Sequence, residues 1–195
     1  MERGRIYMAI KVYIDQGHNP QNPNAGAEGN GLREQNIVFR IGILLADLLL
    51  ANGNFEVLVS RPTITTQLGT STASSLATRV NQANSWGADY FLSLHTNAST
   101  ITSASGVEAY AFSRPSQAFT LGEIILEELS ESTGLRNRGM QVRTNLYVLR
   151  RTQMPAVLIE LGFITTPSDA ALMRDRPDLF ARGIYNGLLR YLGLS

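Results

Sequence analysis

Val12-Tyr13-Ile14-Asp15-Gln16-Gly17-His18 reads as a buried β-strand that breaks at a glycine and delivers a histidine. A second run, Asp89-Tyr90-Phe91-Leu92-Ser93-Leu94, is closed by His95, the chain's only other histidine. A third, Ala156-Val157-Leu158-Ile159, ends at Glu160. Short apolar runs bounded by turn residues and separated by helical patterns point to a layered α/β fold with a parallel sheet. In an open parallel sheet, ligands and chemistry collect at the carboxyl ends of the strands. Three metal-binding or ionisable side chains at strand ends are therefore expected to share one crevice.

Working outward, a polar loop from Asn19-Pro20 to Asn30-Gly31 follows the first strand, its Asn, Gly and Pro content marking sharp turns over a site. Leu32 to Leu50 has helical periodicity, with Ile37, Ile41, Leu44, Leu45 and Leu48 on one face and Gly53 past the end. Phe55 to Val59 is a second strand, and the Thr/Ser-rich stretch from Thr63 to Ser75 reads as an exposed loop. A helix from about Leu76 to Trp86 precedes the His95 strand. Val107 to Phe112 is another strand, and Gln117 to Ser132 is an amphipathic helix stopped by Gly134. A short polar connection through Arg136 and Arg138 leads to an expected strand at Tyr147-Val148-Leu149. After the Glu160 strand, helices are expected near Ser168 to Met173 and from about Leu179 to Leu192. The sum is a single three-layer α/β domain over residues 8–195, with a mostly parallel twisted sheet of about six strands and helices on both faces. Residues 1–7 read as an N-terminal extension or tag remnant.

Composition narrows the chemistry. The 195 residues are 44% hydrophobic and 17% charged, ordinary globular material of one-domain size. A formal net charge of +1 favours neither nucleic acid nor an anionic membrane. Lys11 is the only lysine; every other cation is arginine, suited to planar recognition of carboxylates. Cysteine is absent, which excludes disulfides, thiol catalysis and thiolate metal sites. No signal-peptide h-region follows Met1, and no apolar run is long enough to span a bilayer.

A catalytic zinc site without cysteine takes three ligands from His and Asp/Glu and leaves one position open. His18 and His95 supply two. The third is expected to be a carboxylate near the first strand, and Glu34, in the opening turn of the first helix, fits. Glu34 equally suits a plain role complementing the helix dipole. No H-E-x-x-H, P-loop, G-x-G-x-x-G or G-x-S-x-G is present, so the ligands of such a site come from dispersed elements.

From about Ile10 to the C-terminus the chain resembles the zinc-dependent N-acetylmuramoyl-L-alanine amidases of the amidase-3 family. Ile14-Asp15-Gln16-Gly17-His18 is similar to that family's strand ending in D-x-G-H. Gly26-Ala27 with Gly31-Leu32-Arg33-Glu34 resembles its G-A and G-x-x-E elements, and Ala77 to Asn84 its R-v-x-x-A-N helix. Ser93-Leu94-His95-Thr96-Asn97-Ala98 and Pro155 to Ile164 follow the remaining motifs closely, and Arg138-Gly139 and Val148-Leu149-Arg150 are further landmarks.

The resemblance implies that His18, Glu34 and His95 hold Zn2+ and that Glu160 is the catalytic carboxylate. It implies hydrolysis of the amide between the lactyl group of N-acetylmuramic acid and L-alanine in peptidoglycan, by a monomer acting on the extracytoplasmic cell wall. Membrane insertion and nucleic-acid partners are not expected. A stem-peptide zinc carboxypeptidase and a non-catalytic wall-binding module are the rival readings. Arg79 and Asn84 read as structural clamps, Asn97 as a residue orienting the His95 loop, and Arg138 or Arg150 as contacts for stem-peptide carboxylates. One departure stands out: Asn19-Pro20 follows the first histidine, where the family has glycines.

Overall fold

The computed structural model describes residues 9–101 and 103–194; the expected extension at residues 1–7 lies outside them. The element order is β1 (Ile10–Gln16), β2 (Glu28–Gly29), β3 (Leu32–Arg33), α1 (Glu34–Asn52), β4 (Phe55–Val59), α2 (Thr72–Trp86) and β5 (Tyr90–Asn97). It continues with β6 (Val107–Ala111), α3 (Gln117–Thr133), β7 (Asn137–Val142), α4 (Tyr147–Arg151), β8 (Ala156–Phe163), α5 (Pro167–Asp175) and α6 (Pro177–Leu192). Six strands form one sheet in the order β4-β1-β5-β8-β6-β7, and β2 and β3 form a separate two-stranded ribbon. All pairings in the main sheet are parallel except β6 with β8. The mostly parallel α/β domain expected from the alternation of elements is what forms.

Strand alternation divides the core in two. One face carries Val12, Ile14, Leu92, Leu94, Val157 and Ile159 against Ile41 and Leu45 of α1, Ile125 of α3 and Ile184 of α6. The other carries Tyr13, Phe91, Leu158 and Tyr110 against Val80 and Ala83 of α2 and Val148 and Leu149 of α4. Gly53, Gly87, Gly134 and Gly193 close four of the helices in the left-handed conformation that residues with a Cβ avoid.

Several local expectations are corrected. Tyr147-Val148-Leu149 is not a strand: it opens α4, whose Val148 and Leu149 bury against the sheet. Three apolar residues are too short for periodicity to separate helix from strand. The polar connection at residues 136–142 contains β7, an edge strand paired with β6. Its side chains alternate weakly because backbone pairing, rather than burial, holds it. The loop read at Thr63 to Ser75 ends early, since α2 begins at Thr72 behind a Ser71–Ser74 capping box. Leu32 and Arg33 belong to β3, and α1 starts at Glu34. β5 and β8 run past His95 and Glu160 to Asn97 and Phe163. The last two helices each begin one or two residues before the expected start.

Candidate active site

β1 ends at Gln16, and His18 follows with φ +65°, a left-handed conformation unusual for a residue with a side chain. Its neighbours hold it there. Arg79, almost fully buried on α2, pairs with Asp15 and donates to the carbonyls of Gln16 and His18. Ser93, the register partner of Asp15, donates to the carboxylate's other oxygen at 2.8 Å. Burial opposes ionisation of Asp15, but Arg79 and these hydrogen bonds win and hold its pKa below 3.8. Arg79 is the clamp the sequence suggested, and Asn84 is another, bridging the Arg151 carbonyl and the Gln153 amide.

Asn19 accounts for the departure after the histidine. Its side chain is wholly buried, donates to the carbonyls of Pro23 and Leu68 at 2.9 Å each, and accepts from the Leu68 amide at 3.1 Å. It buckles the loop beyond His18 to the loop ahead of α2.

Glu34 is the first residue of α1 and reaches both histidines with one oxygen. Oε1 lies 3.1 Å from His18 Nε2 and 3.1 Å from His95 Nδ1. The backbone amides of Thr96 and Ala27 donate to Oε1 and Oε2, each at 2.9 Å. Burial alone would push the Glu34 pKa up; the histidine hydrogen bonds reverse this and keep it well below the usual carboxylate range. Two close approaches explain the glycines beside these side chains. A Cβ on Gly17 would lie 2.5 Å from His95 Cε1, and one on Gly26 would lie 2.7 Å from Glu34 Oε2. His18, Glu34 and His95 thus form a candidate metal site, their donor atoms all within 4.8 Å of one another. Two imidazoles and one carboxylate are the donor set a catalytic zinc takes when no thiol is available, so these residues fit the group.

Glu160 joins them through the sheet. It is the parallel register partner of His95 and so projects from the same face. Its Oε2 is buried without a hydrogen-bond partner. Burial, then the nearby carboxylates of Glu34 and Glu108, push its pKa up to about 8. Beyond Glu160, β8 takes one extra residue against β5, since Asn97 pairs with Phe163. That bulge returns Phe163 to the face of Glu160.

Glu108 is the site residue the sequence reading missed. It pairs with Glu160 across the antiparallel step, and its buried carboxylate accepts from Asn97 Nδ2 at 2.6 Å, Tyr110 Oη at 2.6 Å and Arg138 Nε at 3.0 Å. An available signal was the alternation of Val107-Glu108-Ala109-Tyr110, which places Glu108 and Tyr110 on one face. Asn97 accordingly braces Glu108 rather than the His95 loop. Arg138, expected to face substrate, is ion-paired to Glu108, and Arg150 is exposed on the last turn of α4.

Fold and site define a class: a mostly parallel α/β domain with a two-histidine, one-carboxylate candidate metal centre at the ends of its strands. Comparison with known proteins narrows it. The Amidase_3 family model, described as N-acetylmuramoyl-L-alanine amidase, matches residues 12–190. The N-acetylmuramoyl-L-alanine amidase CwlM of Bacillus licheniformis is 38% identical over 190 residues, covering 95% of this chain and 70% of that protein. A sporulation-specific N-acetylmuramoyl-L-alanine amidase of Bacillus subtilis is 35% identical, with 95% and 69% coverage. The crystal structure of an N-acetylmuramoyl-L-alanine amidase from Clostridium difficile 630 superposes with a TM-score of 0.84 at 31% identity, covering 95% of this chain and 97% of that one. The chain belongs to the Amidase_3 family and is an N-acetylmuramoyl-L-alanine amidase.

Proposed function

We propose that this amidase is zinc-dependent, with His18, Glu34 and His95 as the ligands and Glu160 as the general base and acid. The observation that carries the reading is the shared Glu34 Oε1, 3.1 Å from one nitrogen of each histidine, with Glu160 beside His95 in register. A zinc ion held there would supply Lewis acidity, polarising a carbonyl and lowering the pKa of water toward about 7. The chain's own groups do the rest. Glu160, with an unpaired buried oxygen, takes a proton from the attacking water. The hydroxyl joins the lactyl carbonyl carbon, the C–N bond breaks, and Glu160 returns the proton to the departing L-alanine nitrogen. Arg79, paired with Asp15, holds the backbone of His18 through its carbonyl and so fixes where that ligand stands.

The substrate is the peptidoglycan of the cell wall, outside the cytoplasmic membrane, and no helix of the described residues is long and apolar enough to cross a membrane. All four functional residues come from one chain, so a monomer holds a complete site. Chelation followed by zinc addition, with mass spectrometry of digested muropeptides, tests this reading. Loss and recovery of products bearing a free lactyl carboxyl and a free L-alanine amine are expected. Full activity in metal-free protein would overturn the ligand assignment, and release of terminal D-alanine would indicate a carboxypeptidase.

A further inference from the structure

The face carrying Glu160 continues across β6 to the edge strand β7, where Arg138 within the strand and Arg143 just past its end both lie over aromatic rings. Arg138 lies with its guanidinium 5.1 Å from the centre of the Phe163 ring, and Arg143 lies 5.1 Å from the centre of the Tyr110 ring. β7 takes an extra residue against β6, since Val107 pairs with Asn137 but Ala109 with Met140. That bulge sets Arg138 beside Glu108. The two cations are not equivalent. Arg138 is neutralised by Glu108, whereas Arg143 pairs with no carboxylate among the described residues, and its side chain donates to the neutral Gln141 Oε1 at 3.2 Å. The ring under Arg143 leads toward Glu160: Tyr110 Oη donates to Glu108 at 2.6 Å, and Glu108 is the register partner of Glu160. A cavity of about 130 Å³ beneath His18 and His95 is walled by Leu146, Tyr147 and Leu158, and Leu158 is the register partner of Tyr110.

We propose that Arg143 is a specificity-determining residue that binds a carboxylate on the peptide side of the scissile amide. Stacking on Tyr110 restricts the guanidinium and leaves its edge to form paired hydrogen bonds with a planar anion. Glu108 neutralises Arg138 and so leaves Arg143 as the uncompensated one of the two arginines. The ligand is an anionic peptide joined through its N-terminus to the acyl group being released, with the carboxylate one residue beyond the cleaved bond. This rests on the amidase reading of Glu160 and the triad.

Two synthetic muropeptides test it, identical except that the second stem residue carries a free α-carboxylate or its primary amide. Wild-type protein is expected to favour the acid in kcat/KM by about tenfold, the scale of one charged hydrogen bond. Arg143→Gln should bring that ratio close to one, mainly through KM on the acid. Arg143→Lys should restore part of it, and Arg182→Gln, the same charge loss on α6, should keep it. No preference in the wild type, or equal losses by Arg143→Gln on both compounds, would overturn the proposal. Affinities of both compounds for the Glu160→Gln protein provide the same ratio without turnover. Failure to hydrolyse either compound would therefore count against the amidase mechanism, while a lost binding preference would count against the subsite.

Discussion

Glu108 and Glu160 face each other across adjacent antiparallel strands, so two carboxylates stand at one level on one face of the sheet. Glu108 is held ionised: burial opposes its charge, but hydrogen bonds from Tyr110, Arg138 and Asn97 lower its pKa. Its charge then raises Glu160, behind the larger effects of burial and Glu34. A base must be deprotonated to act, so activity should rise as pH passes the Glu160 pKa. Zinc at the proposed site would add an opposing field and move that limb below the value of about 8 set without a cation. Glu108→Gln removes a negative neighbour and uncovers Arg138, both lowering the Glu160 pKa. The acid limb of the kcat/KM profile should shift to lower pH; a shift to higher pH would show Glu108 acting otherwise.

Glu160→Gln keeps the shape of the side chain and removes the proposed base. Turnover should fall by roughly 10²-fold or more while zinc content is retained. His18→Ala or His95→Ala should lower zinc content itself. Metal analysis of the three purified variants separates the roles, and metal loss in Glu160→Gln would make Glu160 a ligand.

Asp15 and Arg79 form a fully buried pair behind His18. Removing one partner strands the other's charge, so Asp15→Asn should cost about 3–5 kcal/mol in denaturant unfolding. The folded pKa of Asp15 lies below its ordinary 3.8, so its contribution is complete above that value and fades as pH falls toward the folded pKa. Stability curves of wild type and Asp15→Asn should therefore converge below about pH 4. Parallel curves through that range would contradict the assignment.

Asn19 offers a milder test. Asn19→Gly keeps the loop path open but leaves the Leu68 amide and carbonyl without their side-chain partner, a loss of about 1–3 kcal/mol. Because the buckle adjoins His18, zinc affinity should fall with it. Competition against a chelator of known affinity measures this, and unchanged affinity would make Asn19 a purely structural tie.

Local pattern was enough to read much of this molecule. Apolar runs leading to Gly-His, to His95 and to Glu160 already place the candidate site residues toward the carboxyl ends of buried strands. Periodicity located α1 and α3, and glycines marked their ends, because helix burial and the left-handed C-cap leave a signature within a few residues. Other features have no such signature. β7 opens on the polar run Asn137-Arg138-Gly139 with only Met140 reaching the core, and it becomes a strand because β6 is there to pair with it. Tyr147 to Leu149 becomes a helical turn because the floor beneath it is Leu158 and Val80. Glu108 became a candidate partner of Glu160 only through an antiparallel register between residues far apart in the chain, and two bulges turned Phe163 and Arg138 onto their face. Backbone conformation and burial pattern are set by neighbours in sequence; strand register, bulges and the charge environment of a carboxylate are set by neighbours in space, which only the folded chain brings together.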